Sequence, residues 1–214
     1  MWGSSSKISL SIVDSPTFYK ILSKIILTAD RYYCISRFPS ICYTDTLSSA
    51  MSRDGFSKLL REICLTKKRP KVTYLSILNI QGPFSKAMSI YKNVDRAYKE
   101  CMLMIETLGE NIENMGNLEI RYLEQPPEWY IQFVFPEDVF LIIRTPNREA
   151  LKVLQIRSKD VGEYAYSIFK EKISYSERVT SDNIDCYIER MKKDLKIVAD
   201  YRNKKIMREK SYLE

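Results

Sequence analysis

An α/β fold, with a mixed central sheet flanked by helices and a C-terminal amphipathic helix, is predicted by three observations. Short aromatic and β-branched runs alternate with longer segments whose apolar residues recur three and four apart. Their order, strand then helix three times over before a fourth strand, is that of a layered arrangement. Residues 128–144 hold two apolar runs, 129–135 and 139–143, joined by Pro136-Glu137-Asp138, which reads as a hairpin. The second run does not alternate with polar residues, so it is expected to be covered on both faces and to sit inside the sheet.

The elements follow in order. Residues 7–13 alternate polar and apolar and stop at Asp14-Ser15-Pro16, a first strand. Asp14 or Ser15 then caps a helix over 17–30, with Pro16 in its first turn and Phe18, Ile21, Leu22, Ile25, Ile26 and Ala29 as its stripe. Residues 31–38 are a second strand, broken by Pro39. A second helical stretch starts at Thr44 or Asp45, carries Leu47, Met51, Phe56, Leu59, Leu60 and Ile63, is interrupted at Gly55, and ends in Lys67-Lys68-Arg69-Pro70. A basic cluster there complements the helix dipole.

Residues 71–80 are the third strand, central in the sheet, and 85–111 one long helix with Met88, Tyr91, Val94, Tyr98, Met102 and Ile105 as its stripe. Residues 118–123 form a fourth strand, the hairpin follows, and 151–156 form another strand. Asp160 caps a helix over 161–176. The last helix starts at Ser181 or Asp182 and repeats Ile184, Tyr187, Ile188, Met191, Leu195, Val198 and Tyr201. A boundary near 174–180 divides the chain into an α/β domain over 1–176 and a C-terminal helix with a basic tail over 181–214.

Composition excludes several chemistries. The 214 residues contain no histidine, and the five cysteines form no CxxC pair. Histidine-based zinc sites, Ser-His-Asp and Cys-His catalysis and every histidine general base are therefore out of reach. No GxGxxG and no GxxxxGK phosphate loop occurs. No apolar run approaches the ~20 residues needed to span a bilayer, and the first residues lack the layout of a signal peptide. A cytoplasmic protein with reduced thiols and no membrane contact is the expectation. The net charge is +7, and residues 190–214, with nine Lys and Arg against four Asp and Glu, hold +5 of it.

A strand ending in Asp14-Ser15 runs into a helix ending in Thr28-Ala29-Asp30, and the next strand is Arg31-Tyr32-Tyr33-Cys34-Ile35-Ser36. The following helix passes through the basic turn at 67–71 into Val72-Thr73-Tyr74-Leu75-Ser76-Ile77-Leu78-Asn79. Over residues 7–176 this layout resembles one half of the phospholipase D-like fold. The family's signature is His, any residue, Lys, four residues, then Asp, on a strand entering a hairpin. Laid on this chain with Asp138 as the acid, the His position is Ile131 and the Lys position Phe133. That family's mechanism needs a histidine nucleophile and a second histidine as acid and base. The resemblance thus implies a pseudoenzyme that hydrolyses no phosphodiester, similar to the effector and dimerisation modules of some prokaryotic transcription regulators. It also implies a homodimer, to which the apolar stripe of the last helix is expected to contribute.

The functional expectation is a non-catalytic binding or regulatory protein that needs no cofactor and no metal. It associates with DNA or RNA through Lys192, Lys193, Lys196, Arg202, Lys204, Lys205, Arg208 and Lys210, which would neutralise phosphates with little sequence readout. The last five of these are expected to run beyond the packed body. One alternative is a ligand-sensing or scaffolding module that acts through a protein partner. The other is a metal-dependent hydrolase built on Asp and Glu, for which Glu106, Glu110 and Glu113 share one helix face.

Overall fold

The computed structural model describes residues 8–50, 55–66, 69–126, 129–144 and 151–211. Eight strands form one mixed sheet: β1 (Ser9–Asp14), β2 (Arg31–Ser36), β3 (Lys71–Ser76), β4 (Leu118–Tyr122), β5 (Ile131–Val134), β6 (Asp138–Arg144), β7 (Leu151–Arg157) and β8 (Glu177–Val179). Their order across the sheet is β1-β7-β6-β5-β2-β3-β4-β8. β2, β3 and β4 run parallel, and every other neighbouring pair is antiparallel. β3 and β6 are both interior, as the unalternated runs predict.

The helices are α1 (Ser15–Ile26), α2 (Asp45–Ala50), α3 (Phe56–Thr66), α4 (Gln81–Tyr91), α5 (Val94–Asn114), α6 (Lys159–Ser174) and α7 (Ile184–Ser211), with a 3-10 turn at Ser40–Cys42. No helix among the described residues is long and apolar enough to cross a membrane. Local chemistry sets their ends. Asp14 accepts from the Thr17 N–H at 2.9 Å and starts α1. Ser158, not Asp160, caps α6, by accepting from the Val161 N–H. The expected helix over 85–111 is two helices. Lys92 takes the left-handed conformation (φ 51°) and ends α4, and Asn93 caps α5 by accepting from the Arg96 N–H at 2.9 Å. The third strand also stops early, at Ser76, because Leu78 lies at φ 50° and turns the chain into α4.

Side chains alternate across the sheet and divide the core in two. On the first face Tyr32, Cys34, Val72, Tyr74, Ile120 and Phe140 lie under helices α1 to α5, and α7 packs on α4 and α5 as part of the same core. On the second face Tyr33, Ile35, Leu75, Phe133 and Val139 lie under α6, which contributes Ala165 and Phe169. Two contacts fix α6 in place. Gly162 packs so closely on the hairpin turn that a Cβ there would stand 1.9 Å from the Pro136 carbonyl oxygen. Arg121 of β4 pairs with Glu119 at 2.8 Å and donates to the Ile173 and Ser176 carbonyl oxygens at 3.0 and 2.7 Å. α6 does not reach the far strands. β6 is covered on both faces only at Val139 and Phe140; Leu141 is half-buried and Ile143 is exposed, which corrects the expectation for the whole run.

Candidate functional site

β5 lies between β2 and β6, and Ile131 and Phe133, two residues apart, share its second face. Phe133 is fully buried, stacked on Tyr33 at 5.9 Å and on Phe169 at 6.1 Å, with Phe135 edge-on at 6.1 Å. Ile131 belongs to the same cluster. Hydrocarbon and aromatic rings fill both positions, and neither side chain offers a nucleophile or a cation. Asp138 lies directly opposite Val134 in the β5–β6 register and therefore projects from the first face, at the other end of the hairpin strands. It is buried, accepts from Gln155 Nε2 at 3.3 Å and stands 4.0 Å from Arg157 Nε. Burial pushes its carboxyl above the ordinary value, against the pull of Gln155 and Arg157. The three positions do not converge: two lie under α6 and the third anchors the sheet on the opposite face.

A second group of polar residues gathers where β2, β3 and β4 end and β5 begins. Arg37, just after β2, donates through Nε to the Tyr130 hydroxyl and lies over the Tyr130 ring at 5.7 Å. Arg190 of α7 donates to the Tyr122 hydroxyl at 3.0 Å and lies over the rings of Tyr122 and Tyr187, at 4.4 and 5.3 Å. The Tyr187 hydroxyl donates to Glu177 at 2.5 Å, and burial together with that carboxylate raises its pKa. Ser76 is buried in this rim and accepts from the Leu78 N–H at 3.1 Å. Arg37 and Arg190 are exposed, so this rim can attract an anion by charge and hydrogen bond. Its one carboxylate among these residues, Glu177, is engaged by the Tyr187 hydroxyl.

No local pattern in the sequence marks this rim. Its partners are 93 and 68 residues apart in the chain, and only the strand order brings them together.

A cavity of about 690 Å³ lies between the 3-10 turn and the C-terminal halves of α3 and α5. Arg61 and Asn111 in its lining are already engaged. Arg61 donates to the Ile41 and Tyr43 carbonyl oxygens at 3.1 and 2.8 Å and pairs with Asp45 at 2.8 Å. Asn111 donates to the Cys42 sulfur at 3.6 Å, and burial pushes the Cys42 thiol up to about 12. Glu106, Glu110 and Glu113 are exposed on α5. No group of three or more Cys, Asp or Glu side chains converges on a metal-sized site among the described residues.

α7 is the basic element. Its inner stripe, Ile184, Tyr187, Met191, Leu195 and Ala199, is buried, and Ile206 still packs on the core near its end. α7 lies antiparallel to α5: Ile188 reaches Gly109, and Ala199 and Asn203 stand beside Val94 and Tyr98. The helix therefore follows the body further than expected. Arg202 is half-buried, with its Nε inaccessible and unpartnered, and does not extend beyond the body. Lys193, Lys196, Lys204 and Lys205 are exposed, while Lys192 is half-buried and pairs with Glu189 at 3.5 Å. The side chains of Arg208 and Lys210 lie outside the described residues.

No family model matches the chain, and no curated protein matches it. Among solved structures it is similar to the phosphatidylserine synthase of Haemophilus influenzae Rd KW20, at 13% identity and a TM-score of 0.50, over 96% of this chain and 48% of that one. It is similar to Nuc of Salmonella typhimurium, a phospholipase D family member, at 10% identity and 0.47, over 82% and 100%. It is also similar to TrmBL2, an archaeal chromatin protein with a novel mode of DNA binding, at 14% identity and 0.44, over 79% and 54%. This chain thus spans about half the length of the synthase and TrmBL2 chains. The likeness is one of fold, and the fold is phospholipase D-like.

Proposed function

We propose that this chain is a non-catalytic binding module that engages nucleic acid through the outer face of α7. The observation that carries the reading is the two-sidedness of that helix. Its apolar stripe is built into the core, while Lys193, Lys196 and Lys204 stay exposed on the side away from it, with Lys205 on the flank. At 1.5 Å per residue the row from Lys193 to Lys204 is about 16 Å long. A helix already held in place loses little freedom when its lysines meet phosphates. Asp200 interrupts the row, so the contact expected is with the backbone, non-specific and strongly dependent on salt. The absence of histidine supports the non-catalytic half of the reading, as do the hydrocarbon side chains of Ile131 and Phe133. The division of the chain into a domain over 1–176 and a C-terminal helix over 181–214 is part of the same proposal.

The test is a fluorescence-anisotropy titration of a labelled duplex at several salt concentrations. With about four lysines engaged, log K should fall with log salt with a slope of about −3 to −4. Combining Lys193→Glu, Lys196→Glu and Lys204→Glu should abolish binding and leave the thermal melt in place, because all three side chains are exposed. Deleting the tail is the poorer test, since it removes Ile206 from the core. Wild-type protein that leaves the duplex unbound at low salt would refute the nucleic-acid reading and favour a ligand-sensing or scaffolding module.

A further inference from the structure

The two edges of the sheet are built differently. β8 closes one edge with three residues, of which Glu177 and Arg178 are charged and exposed. Shortness and charge are the usual guards of an edge strand. β1 forms the other edge with six residues and pairs only with β7, in unbroken register from Ser9↔Arg157 to Asp14↔Lys152. From Ser9 to Val13 it has no charge, no proline and no bulge. Its outward N–H and C=O groups face no other strand among the described residues, a row of donors and acceptors ready for one more strand. Ile8, Leu10 and Ile12 are 60%, 63% and 68% exposed on the second face.

An open edge alone does not name its partner, but the order of side chains along this one does. Ile8-Ser9-Leu10-Ser11-Ile12 has the same pattern in both directions about Leu10. Two copies of β1 laid antiparallel about a two-fold axis at Leu10 set Leu10 opposite Leu10, Ile8 opposite Ile12, and Ser9 opposite Ser11. Residues directly opposite on antiparallel strands share a face, so every apolar side chain meets an apolar one and every hydroxyl a hydroxyl. A slip of one residue would set isoleucine and leucine against serine.

We infer that β1 is a homodimer edge, on which two copies pair β1 to β1 and join their eight-stranded sheets into one. The contact is isologous, closed by its own two-fold, and made chiefly by main-chain hydrogen bonds. The stripe of α7, to which a dimer contact was ascribed above, is buried against α4 and α5 of the same chain. β1 lies at the edge away from β4 and β8, where α7 packs, so the dimer and the nucleic-acid reading stand or fall separately.

The test uses the full chain carrying Cys186→Ser, which removes the exposed thiol. In that background Leu10→Cys should form a disulfide-linked dimer under mild oxidation, because the two-fold sets opposed Cβ atoms about 4.5–5.5 Å apart. Ile8→Cys and Ile12→Cys should each stay uncrosslinked alone and link to each other when mixed. Sedimentation across the micromolar range should return a dimer. Leu10→Lys, which opposes two ammonium groups, should raise the dimer Kd by about tenfold or more without changing the circular dichroism. A monomer throughout, a dimer unmoved by Leu10→Lys, or efficient self-crosslinking of Ile8→Cys would overturn the inference.

Discussion

On its first face the sheet lies under six helices, and one core runs from Phe18 in α1 to Ala199 in α7. On its second face α6 is the one helix among the described residues. Beneath it Tyr33, Phe133 and Phe169 close the space, and beyond it Leu10, Ile12 and Ile143 reach solvent. Connectivity accounts for the difference. β1, β2, β3 and β4 are parallel to one another and advance across the sheet in one direction. Right-handed crossovers between them put every connecting helix on the same side. Among the described residues the helix after β7 covers the other side, and a single helix of 16 residues is about 24 Å long. The apolar residues that α6 leaves bare are therefore available for contacts between molecules. Those beneath it, Ile131 and Phe133 among them, are packed into the core.

The first face should be closed to chemistry in solution. Cys34, Cys42, Cys64 and Cys101 are all buried there, and burial pushes the last three thiols up to about 12. Only Cys186 is exposed. At pH 8 a thiol reagent should titrate one cysteine in the native protein and five in denaturant. The rate difference should be on the order of a thousandfold or more. Two or more fast thiols in the native state would mean that the crowded face opens readily.

Within the second face the covered and bare regions should respond differently to the same truncation. Phe133→Ala should cost about 3–5 kcal/mol in urea unfolding. Leu10→Ala should change the stability of the monomer by about 0.5 kcal/mol or less. Comparable losses at both sites would contradict the division. The seat of α6 comes next. Gly162→Ala forces a methyl group against the Pro136 carbonyl, and backbone there cannot rotate aside, so a loss of about 1–3 kcal/mol is expected.

The smallest effect belongs to Asp138. Burial raises its folded pKa above the ordinary 3.8, so the folded chain holds that proton more tightly than the unfolded one. Its contribution is favourable at low pH and is lost as pH rises through the folded value. Asp138→Asn should therefore raise Tm slightly at pH 7, by an amount that shrinks as pH falls below the ordinary carboxyl range. A difference that grows on acidification would reverse this assignment.

Much of this layout is legible in the sequence, for reasons that differ by element. β1, α1, β2, the hairpin and α7 announce themselves through period, caps and turn residues. Asp14 and Pro16 start α1 as their chemistry requires. The break between α4 and α5 was hidden because Met88, Tyr91, Val94 and Tyr98 continue one helical spacing across it, and lysine rarely signals a left-handed turn. β8 is three residues with two charges and carries no pattern. The bare half of the second face cannot be read locally either, since it depends on where α6 ends. The stacking of Phe133 on Tyr33 and Phe169 has no local signature, because it depends on residues far away in the chain.

The central claim is that the chain holds nucleic acid without cutting it. The most direct measurement titrates the protein into an end-labelled duplex at low salt. Bound fraction and strand length are read from the same samples, with and without added Mg²⁺. Saturable binding that salt reverses is expected, with the strands intact after prolonged incubation. Strand shortening that depends on Asp138, or no binding at the lowest salt, would contradict it.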